Sequence, residues 1–272
     1  MNYRNYCSLT KAILIIFFSL TQTALAESFP FSVVSFNTWG VPFAVKDTFR
    51  YGEAMSAIEL QNPDFVFLEE VFSPKGQKNF HSEVYPFEVN GPHAFPRLTS
   101  GGIRLLSKYP VVRSAKMAFW NCEKDDCLSK KGALLALIQF PSGKLLNLVG
   151  THLNARGTDE TRKAQIDQLK LFVDEFAEPG APVLMSGDFN YNEFSPLYSY
   201  GLDQLQMKDA WRESHALCDA GITYDTFLNQ YAHDYSLRYG FPLTQERIDF
   251  VLVRPGESTN LKVLSSDVIF NA

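Results

Sequence analysis

The sequence lacks the features that mark a membrane-spanning, fibrous or disordered chain. Of its 272 residues, 46% are hydrophobic and 20% are charged, with no internal repeat and no low-complexity tract. The longest apolar run, Ala12–Leu20, is far shorter than the roughly 20 residues that a membrane-spanning helix needs. These absences exclude a multi-pass membrane protein and leave a globular one.

Positive charge is also scarce. The chain carries 25 Lys and Arg residues against 30 Asp and Glu residues, a formal net charge of −5. Avid nucleic-acid binding relies on cations that neutralise phosphates, so this balance argues weakly against it, since a local basic groove can coexist with an acidic whole. An acidic chain does suit the recruitment of divalent cations.

The apolar run has the surroundings of a secretory signal peptide. Arg4 and Lys11 precede its apolar core, and Ala24-Leu25-Ala26 follows as a small-x-small cleavage pattern. We therefore predict a signal peptide over residues 1–26 and a secreted or periplasmic protein. Two cations and no acid leave with that segment, so the mature net charge becomes −7. The alternative is a buried N-terminal helix.

Cysteine is scarce as well, with four residues in the chain. Cys7 lies in the predicted signal peptide. In an oxidising compartment Cys122 and Cys127 could close a small loop, which would leave Cys218 as a thiol. A zinc site is the disfavoured alternative, because no further Cys or His lies nearby in the sequence.

Hydrophobic patterning alternates strands with helices, and no linker-like change in composition divides residues 27–272. We expect one domain in which two packed sheets are flanked by helices. The predicted helices cover residues 48–60 and 159–176. The predicted strands cover residues 31–37, 65–71, 102–106, 111–119, 133–140, 145–152, 183–186, 247–253 and 262–270.

Polar side chains cluster where these strands end, and functional groups in such places converge on one rim of a sheet. Carboxylate and amide oxygens are the ligands that Mg²⁺ prefers, and a neighbouring His can donate to a phosphoryl oxygen or act as an acid or base. Together they form an inventory for phosphoester hydrolysis. The residues concerned are Asn37, Glu69, Glu70, His152, Asp188, Asn190 and Asp249.

Five motifs, in order, resemble the endonuclease/exonuclease/phosphatase superfamily. The resemblance implies a DNase I-like four-layer α/β sandwich and Mg²⁺-dependent phosphoester cleavage. The motifs are Ser35-Phe36-Asn37-Thr38-Trp39, Phe67-Leu68-Glu69-Glu70-Val71, Gly150-Thr151-His152-Leu153-Asn154, Ser186-Gly187-Asp188-Phe189-Asn190 and Arg247-Ile248-Asp249-Phe250.

The resemblance also implies a role for each matching residue. Asn37 and Glu70 would hold the metal, with Glu69 standing where Gln is usual. His152 would stabilise the phosphoryl oxygens. Asp188 and Asn190 would position the nucleophile and the phosphate, and Asp249 would orient a final catalytic His.

Three further segments resemble the neutral sphingomyelinase branch of that superfamily. They are residues 36–40, residues 101–110 and residues 126–133. In this branch an Asp and a Lys five residues later form a switch, and the corresponding residues here are Asp126 and Lys131. Without the other motifs, residues 126–133 would be interpreted as a solvated charged turn. The resemblance implies hydrolysis of sphingomyelin to ceramide and phosphocholine at a membrane surface, and we infer no stable protein partner.

The C-terminal segment departs from the family pattern, which ends in Ser-Asp-His. We expect the chain, which stops at Ala272, to be truncated before that triplet. The alternative aligns Ser266-Asp267-Val268 with it, so that Val replaces the base. Two other functions stay open: a DNase-like nuclease on the same scaffold, and a non-catalytic lipid- or phosphate-binding protein if Ala272 is the natural end.

Aromatic residues recur at steps of three and four near the end of the chain. They are Tyr224, Phe227, Tyr231, Tyr235 and Tyr239. The spacing predicts an aromatic helix face packed on the core. The alternative is an aromatic wall for a quaternary ammonium such as choline, or for the membrane interface.

Overall fold

The structure, a computed structural model, describes residues 16–21, 28–40, 49–72, 74–257 and 259–270. Its helices are α1 Phe49–Gln61, α2 Pro74–Asn79, α3 Asp159–Phe176, α4 Pro196–Leu205, α5 Ala210–Ser214 and α6 Gln230–Tyr239, with a 3₁₀ helix at Lys124–Leu128. Its strands are β1 Ile16–Thr21, β2 Phe29–Asn37, β3 Phe65–Glu69, β4 Phe87–Asn90, β5 Arg104–Ser107, β6 Val111–Ala118, β7 Gly132–Gln139, β8 Leu145–His152, β9 Val183–Asp188, β10 Lys208–Asp209, β11 Tyr224–Asp225, β12 Gln245–Glu246, β13 Asp249–Arg254 and β14 Asn260–Val263.

Two large sheets form the centre of the molecule. Over the described ranges the first sheet has the order β14-β1-β2-β3-β5-β4, the second has the order β10-β13-β9-β8-β7-β6, and β11 pairs with β12. The facing sides of the two large sheets bury one apolar cluster. Its members include Phe31, Phe65, Phe67 and Leu105 from the first sheet and Leu134, Ala136, Leu148 and Leu184 from the second.

Helices cover the outer faces of both sheets. In β3, Phe65 and Phe67 pack between the sheets, whereas Val66 and Leu68 pack in the cluster of α1, because successive side chains of a strand point to opposite faces. The second sheet packs in the same way against the apolar residues of α3 and α4. The layers therefore run helix, sheet, sheet, helix, and the predicted four-layer α/β sandwich is confirmed.

The longest helix, α3, has the bounds that its sequence predicts. The Thr158 side chain accepts a hydrogen bond from the Thr161 backbone N–H. Two acidic residues follow in the first turn, where their negative charges interact favourably with the positive end of the helix dipole. Its buried face includes Ile166 and Leu169. Phe176, which continues the apolar spacing of that face, is 38% exposed, because it lies in the last turn before the helix ends.

Two predictions near the C-terminus are wrong. The strand predicted over residues 262–270 is the shorter β14, and residues 264–270 have no regular structure. The aromatic residues do not share one helix face: Tyr224 lies in β11, and the Asn229 side chain caps α6 after Phe227. The buried side chains of α6 are Ala232 and Ser236 rather than the aromatic ones.

Part of the predicted signal peptide is a strand. β1 pairs antiparallel with β2 on one side and with β14 on the other, where Leu20 lies opposite both Phe29 and Leu261. The alternative of a buried N-terminal helix is not what these six residues form. Residues 1–15 and 22–26 lie outside the described residues, and the signal peptide stays a prediction. Among the described helices, none has the length and apolar character to cross a membrane.

Gly187 offers a test of how tightly β8 and β9 are packed. A Cβ at this position would lie 1.9 Å from the Thr151 carbonyl oxygen, and its φ of +151° disfavours side chains. We expect Gly187→Ala to lower the free energy of unfolding by about 3 kcal/mol through strain and overpacking. Urea denaturation measures the loss.

The matched control for that substitution is Gly52→Ala. Gly52 lies in α1, and a Cβ added there would have no atom within 4 Å, so alanine should be neutral or stabilise the protein by about 0.5–1 kcal/mol. Equal denaturation midpoints for Gly187→Ala and the wild-type protein would contradict the predicted clash.

Candidate active site

The predicted site residues of the first sheet lie at the ends of two neighbouring parallel strands. Asn37 ends β2 and lies opposite Glu69, the last residue of β3, and Glu70 follows. Glu69 is fully buried and accepts a hydrogen bond from Ser35 Oγ (3.1 Å). The parallel register therefore brings the amide and both carboxyl groups to one edge.

The second sheet contributes three residues in adjacent positions on three strands. His152 at the end of β8 lies opposite Asp188 at the end of β9, and Asp188 lies opposite Asp249 at the start of β13. Asp188 is thus the middle residue of a row that crosses the sheet.

Side-chain contacts join the two rows. Asn37 Nδ2 donates to Asp188 Oδ2 (2.9 Å) and to Glu70 Oε1 (3.3 Å). His152 Nε2 lies 3.9 Å from Glu70 Oε1 and 3.8 Å from Asp188 Oδ2. The structure therefore brings these four predicted residues together across both sheets.

Left-handed backbone follows three of the strand ends. Trp39, Glu70 and Asn190 have φ values of 46°, 59° and 52°, which non-glycine residues rarely adopt. Each such residue costs on the order of 1 kcal/mol or more and persists only where the surroundings impose it. The turns direct the chain over the sheet edge and hold the functional groups there.

The clustered carboxyl groups favour protonation because they are buried near one another. Burial, together with Asp188, raises the pKa of Glu70 to about 7, although Lys131 opposes the shift. Burial and neighbouring carboxylates likewise raise the pKa values of Glu69 and Asp249 well above the usual range. The site therefore has more negative groups than its own cations compensate.

Glu70 fits a role as a metal ligand. Its Oε2 is buried with no hydrogen-bond partner, and a divalent cation would satisfy that oxygen. Asn37 presents Nδ2 to Glu70, while its Oδ1 accepts from the Trp39 backbone N–H (2.9 Å), so ligation would require the amide to turn. Mg²⁺ is commonly bound through one or two carboxylates and keeps several waters, which suits a site with Glu70 as its anionic ligand.

Lys131 is the buried cation of the site. Its ammonium contacts Asp126 Oδ1 at 2.6 Å, His152 Nε2 at 2.9 Å and the Leu153 carbonyl oxygen at 3.0 Å. Three acceptors match the three N–H donors of an ammonium group. The predicted Asp126–Lys131 contact is therefore present, and Lys131 also contacts the proposed phosphoryl-binding histidine. A switching role for the pair stays a prediction.

His152 is held neutral. Burial, and then the Lys131 ammonium, keep the pKa of its imidazole well below the usual value. Because a neutral Nε2 that accepts from Lys131 leaves the proton on Nδ1, we assign that tautomer. Donation from Nε2 to a phosphoryl oxygen would require Lys131 to withdraw and Nε2 to gain a proton, because Nε2 carries none in this tautomer.

The loop that carries Asp126 is closed by a disulfide between Cys122 and Cys127, the predicted pair, with Cα atoms 5.2 Å apart. Asp126 Oδ2 accepts from the backbone N–H groups of Ala155 (2.7 Å) and Arg156 (3.0 Å). One carboxylate therefore connects the disulfide loop, Lys131 and the chain that follows His152.

Asn190 and Asp249 both adjoin Asp188. Asn190 donates its backbone N–H to Asp188 Oδ1 (2.8 Å) and its side-chain amide to the Leu153 carbonyl (3.1 Å). The Asp249 backbone N–H donates to Thr223 Oγ1 (3.2 Å). The other four histidines have their contacts elsewhere: His81 with Glu88, His93 with Lys116, His215 with Trp211 and His233 with Thr226.

Sequence reasoning named Tyr235 but missed the residues that gather around it at the mouth of the site. Trp39, next to the Asn37 loop, packs edge-on against Tyr235 of α6 with ring centroids 5.4 Å apart. Arg156 lies against the same Tyr235 ring. Trp39 lies within a quoted motif, but no spacing in the sequence connects Arg156 with a tyrosine 79 residues away.

A cavity of about 370 Å³ lies beside the site rather than over the proposed metal ligands. Its wall includes Lys131, Asp126 and Asn154 on the inner side and Arg97 and Trp120 on the outer side. Trp120 is 80% exposed. The cavity therefore leads from the protein surface to the buried ammonium of Lys131.

Comparison with known proteins agrees with this geometry. The model of the Endonuclease/Exonuclease/phosphatase family matches residues 34–267. The chain belongs to this family. Inositol phosphosphingolipids phospholipase C of Schizosaccharomyces pombe is 27% identical over 271 residues, which cover 85% of this chain and 62% of that protein. Sphingomyelinase C of Bacillus cereus is 25% identical over 223 residues, which cover 71% and 64%.

Other curated relatives match over a shorter part of their length. Sphingomyelinase of Mycobacterium tuberculosis is 26% identical over 170 residues, which cover 59% of this chain and 34% of that protein. The chain thus spans between about a third and just under two thirds of the length of these relatives.

Solved structures share the fold. The beta toxin of Staphylococcus aureus superposes with a TM-score of 0.71 at 20% identity, covering 82% of this chain and 85% of the toxin. D. rerio TDP2, solved with a single-strand DNA product, superposes with a TM-score of 0.62 at 19% identity, covering 83% and 84%. At these identities the likeness supports the DNase I-like fold alone.

We expect Glu70→Gln to weaken Mg²⁺ binding strongly while leaving the fold intact. The substitution removes the charge of the carboxylate whose Oε2 has no partner and keeps its shape. Calorimetric Mg²⁺ titration and circular dichroism measure the two effects.

Glu69→Gln is the matched control, since Glu69 is the preceding carboxyl group, is fully buried and favours the neutral form because burial raises its pKa. This variant should bind Mg²⁺ like the wild-type protein. Loss of binding in Glu69→Gln together with retention in Glu70→Gln would show that the ligand is assigned to the wrong residue.

We expect loss of the disulfide to impair function without affecting the metal ligands. The Cys122→Ser/Cys127→Ser double variant frees the loop that holds Asp126, so phosphodiester hydrolysis should fall by on the order of tenfold while Mg²⁺ affinity is kept. Cys218→Ser, at an exposed cysteine outside the disulfide, is the control. Equal rates in all three proteins would show that the disulfide does not position Asp126.

Proposed function

We propose that this chain is a Mg²⁺-dependent phosphodiesterase that hydrolyses the phosphodiester of a sphingophospholipid. The proposal rests on the side-chain contacts that bring together four residues of the two sheets, with the Lys131 ammonium beside them. The four residues are Asn37, Glu70, His152 and Asp188. The sphingolipid-acting relatives support the lipid class. Sphingomyelin is the substrate that the sequence resemblance implies.

The reaction consumes one water molecule. Its oxygen attacks phosphorus, the bond from phosphorus to the ceramide oxygen breaks, and the proton lost by water is balanced by one gained by the ceramide oxygen. The products are ceramide and the phosphorylated head group. Charge develops on the phosphoryl oxygens during the attack, so positioned cations and hydrogen-bond donors accelerate it.

Glu70, with Asn37 after its amide turns, would hold the metal. Mg²⁺ in that place supplies Lewis-acid stabilisation of the phosphoryl oxygens. The carboxylate oxygen of Glu70 that has no partner, and its raised pKa, both support a bound cation at this point.

The chain's own donors lie on the other side of the site. Exchange of the Asp126 contact for a substrate oxygen would bring the Lys131 ammonium to the phosphate and free His152 Nε2, which could donate to the phosphate once it has gained a proton. Asn190 is fixed by its bond to Leu153 and lies next to Asp188, where it can position the phosphate. The carboxylate of Asp249 remains to orient a base.

A nuclease is the second candidate, because TDP2 has the same fold and was solved with a DNA product. The net charge of −5 supports the lipid instead, since a nuclease has to neutralise several phosphates. A non-catalytic lipid- or phosphate-binding protein is the third candidate. Secretion rests on the predicted signal peptide over residues 1–26 and belongs to this proposal.

We expect the protein with Mg²⁺ to release phosphocholine from sphingomyelin in mixed micelles, slowly and with a shallow salt dependence. A zwitterionic head group carries no net charge, so its binding releases few counterions. His152→Ala should lower turnover by on the order of a hundredfold or more, because it removes a transition-state donor. The measurement is the rate of phosphocholine release at several salt concentrations.

His81→Ala is the control for that substitution, since His81 is an exposed histidine whose ring faces Glu88, away from the candidate site. It should hydrolyse at the wild-type rate. A well-folded protein that nicks plasmid DNA and leaves sphingophospholipids intact would replace the lipid function with the nuclease.

A further inference from the structure

Three aromatic rings form a cluster at the mouth of the site. Trp39 contacts Tyr235 with ring centroids 5.4 Å apart, and Tyr235 stacks on Phe241 at 6.0 Å. The Trp39 backbone N–H donates to Asn37 Oδ1, so the cluster adjoins a proposed metal ligand. Aromatic faces in such a place would suit a quaternary ammonium group, which is attracted by the ring quadrupoles.

Arg156 already occupies the faces of two of these rings, Tyr235 and Phe241. Its guanidinium carbon lies 4.9 Å from the centroid of Phe241 and 5.8 Å from that of Tyr235, and Nη2 donates to the Tyr235 hydroxyl. Nη1 pairs with Asp125 Oδ2 at 3.1 Å. The cation that the Tyr235 and Phe241 rings attract is therefore part of the chain, and those two faces are not open to a ligand cation.

The position of Arg156 is fixed with respect to the reacting centre. Its backbone N–H donates to Asp126 Oδ2, and the same carboxylate binds Lys131, which contacts His152. The Arg156 side chain keeps 35% of its surface exposed, so the guanidinium remains accessible to a ligand that enters the site.

We propose that Arg156 selects a hydroxyl-rich, uncharged head group, of the inositol type, over choline. This inference rests on the proposed function and narrows its substrate to a phosphosphingolipid with net negative charge. Hydroxyl oxygens accept from the guanidinium N–H groups, and hydroxyl protons are donated to the neighbouring Asp125 carboxylate. A trimethylammonium group offers neither donor nor acceptor to this pair, whose opposite charges balance each other, and it finds the Tyr235 and Phe241 faces already occupied by the guanidinium.

Soluble head groups test the selection without turnover. The full-length chain with Mg²⁺ is titrated calorimetrically with inositol 1-phosphate, glycerol 1-phosphate and phosphocholine, which share a phosphomonoester. We expect inositol 1-phosphate to bind on the order of tenfold more tightly than phosphocholine, with glycerol 1-phosphate between them. Arg156→Gln should bring the inositol-to-choline affinity ratio close to one.

Two further variants keep the test sharp. Arg156→Lys retains the charge but not the planar fork, so it should still disfavour phosphocholine while losing part of the affinity for inositol 1-phosphate. Arg238→Gln, at an exposed arginine in the last turn of α6, should leave both affinities unchanged. Circular dichroism verifies the fold of each variant.

The inference is overturned if the wild-type protein binds phosphocholine as tightly as inositol 1-phosphate. It is also overturned if Arg156→Gln weakens both ligands equally, which would make Arg156 a phosphate contact. Hydrolysis of ceramide phosphoinositol and of sphingomyelin, with identical acyl chains in neutral detergent micelles, is measured in parallel. Hydrolysis of neither lipid would count against the proposed function, whereas the binding ratio would still decide the head-group selection.

Discussion

The buried ammonium of Lys131 is the interaction on which the site depends. Removing such a cation from water costs several kcal/mol unless its donors are satisfied, and here a carboxylate, an imidazole nitrogen and a carbonyl oxygen satisfy them. These three bonds connect the disulfide loop, the end of β8 and the turn after β8 to one another. Burial, and then the same charge, hold the pKa of His152 well below its usual value and keep the imidazole neutral. Ligand entry, proton placement and local stability are therefore connected through one group.

The neighbouring carboxyl groups show the opposite balance. Glu69, Glu70, Asp188 and Asp249 are close together, and burial raises the pKa of each of them. The sandwich tolerates this repulsion because the core between its sheets is extensive. Backbone hydrogen bonds also hold the chain beside the left-handed residues Glu70 and Asn190, from Val71 N–H to the Gly102 carbonyl and from Phe189 N–H to the Ile248 carbonyl. The stability of the layers thus offsets the repulsion and backbone strain at the edge that carries these carboxyl groups. A cation bound at this edge would relieve that repulsion.

The sequence predicts those parts of the molecule that depend on local patterns. The bounds of α3 follow from its cap and apolar spacing, and the strand-end residues from Asn37 to Asp249 follow from the alternation of buried strands with turns. Arg156 against Tyr235 and Phe241, and Thr223 against Asp249, could not be predicted, because each contact joins distant segments whose spacing carries no signal. The prediction of an aromatic helix face is wrong for a related reason. The aromatic spacing from Tyr224 to Tyr239 continues across Asn229, but the helix begins only after this residue, which is its N-cap.

The position of β1 inside the first sheet determines what removal of the predicted signal peptide, residues 1–26, would do to that sheet. Because β1 bonds to β2 on one side and β14 on the other, cleavage after Ala26 would take out an interior strand rather than trim a tail. Two rows of main-chain donors and acceptors would lose their partners at once, and such open edges attract any extended chain nearby. The precursor and its processed form would then differ in the continuity of the first sheet, and with it in their tendency to associate edge to edge.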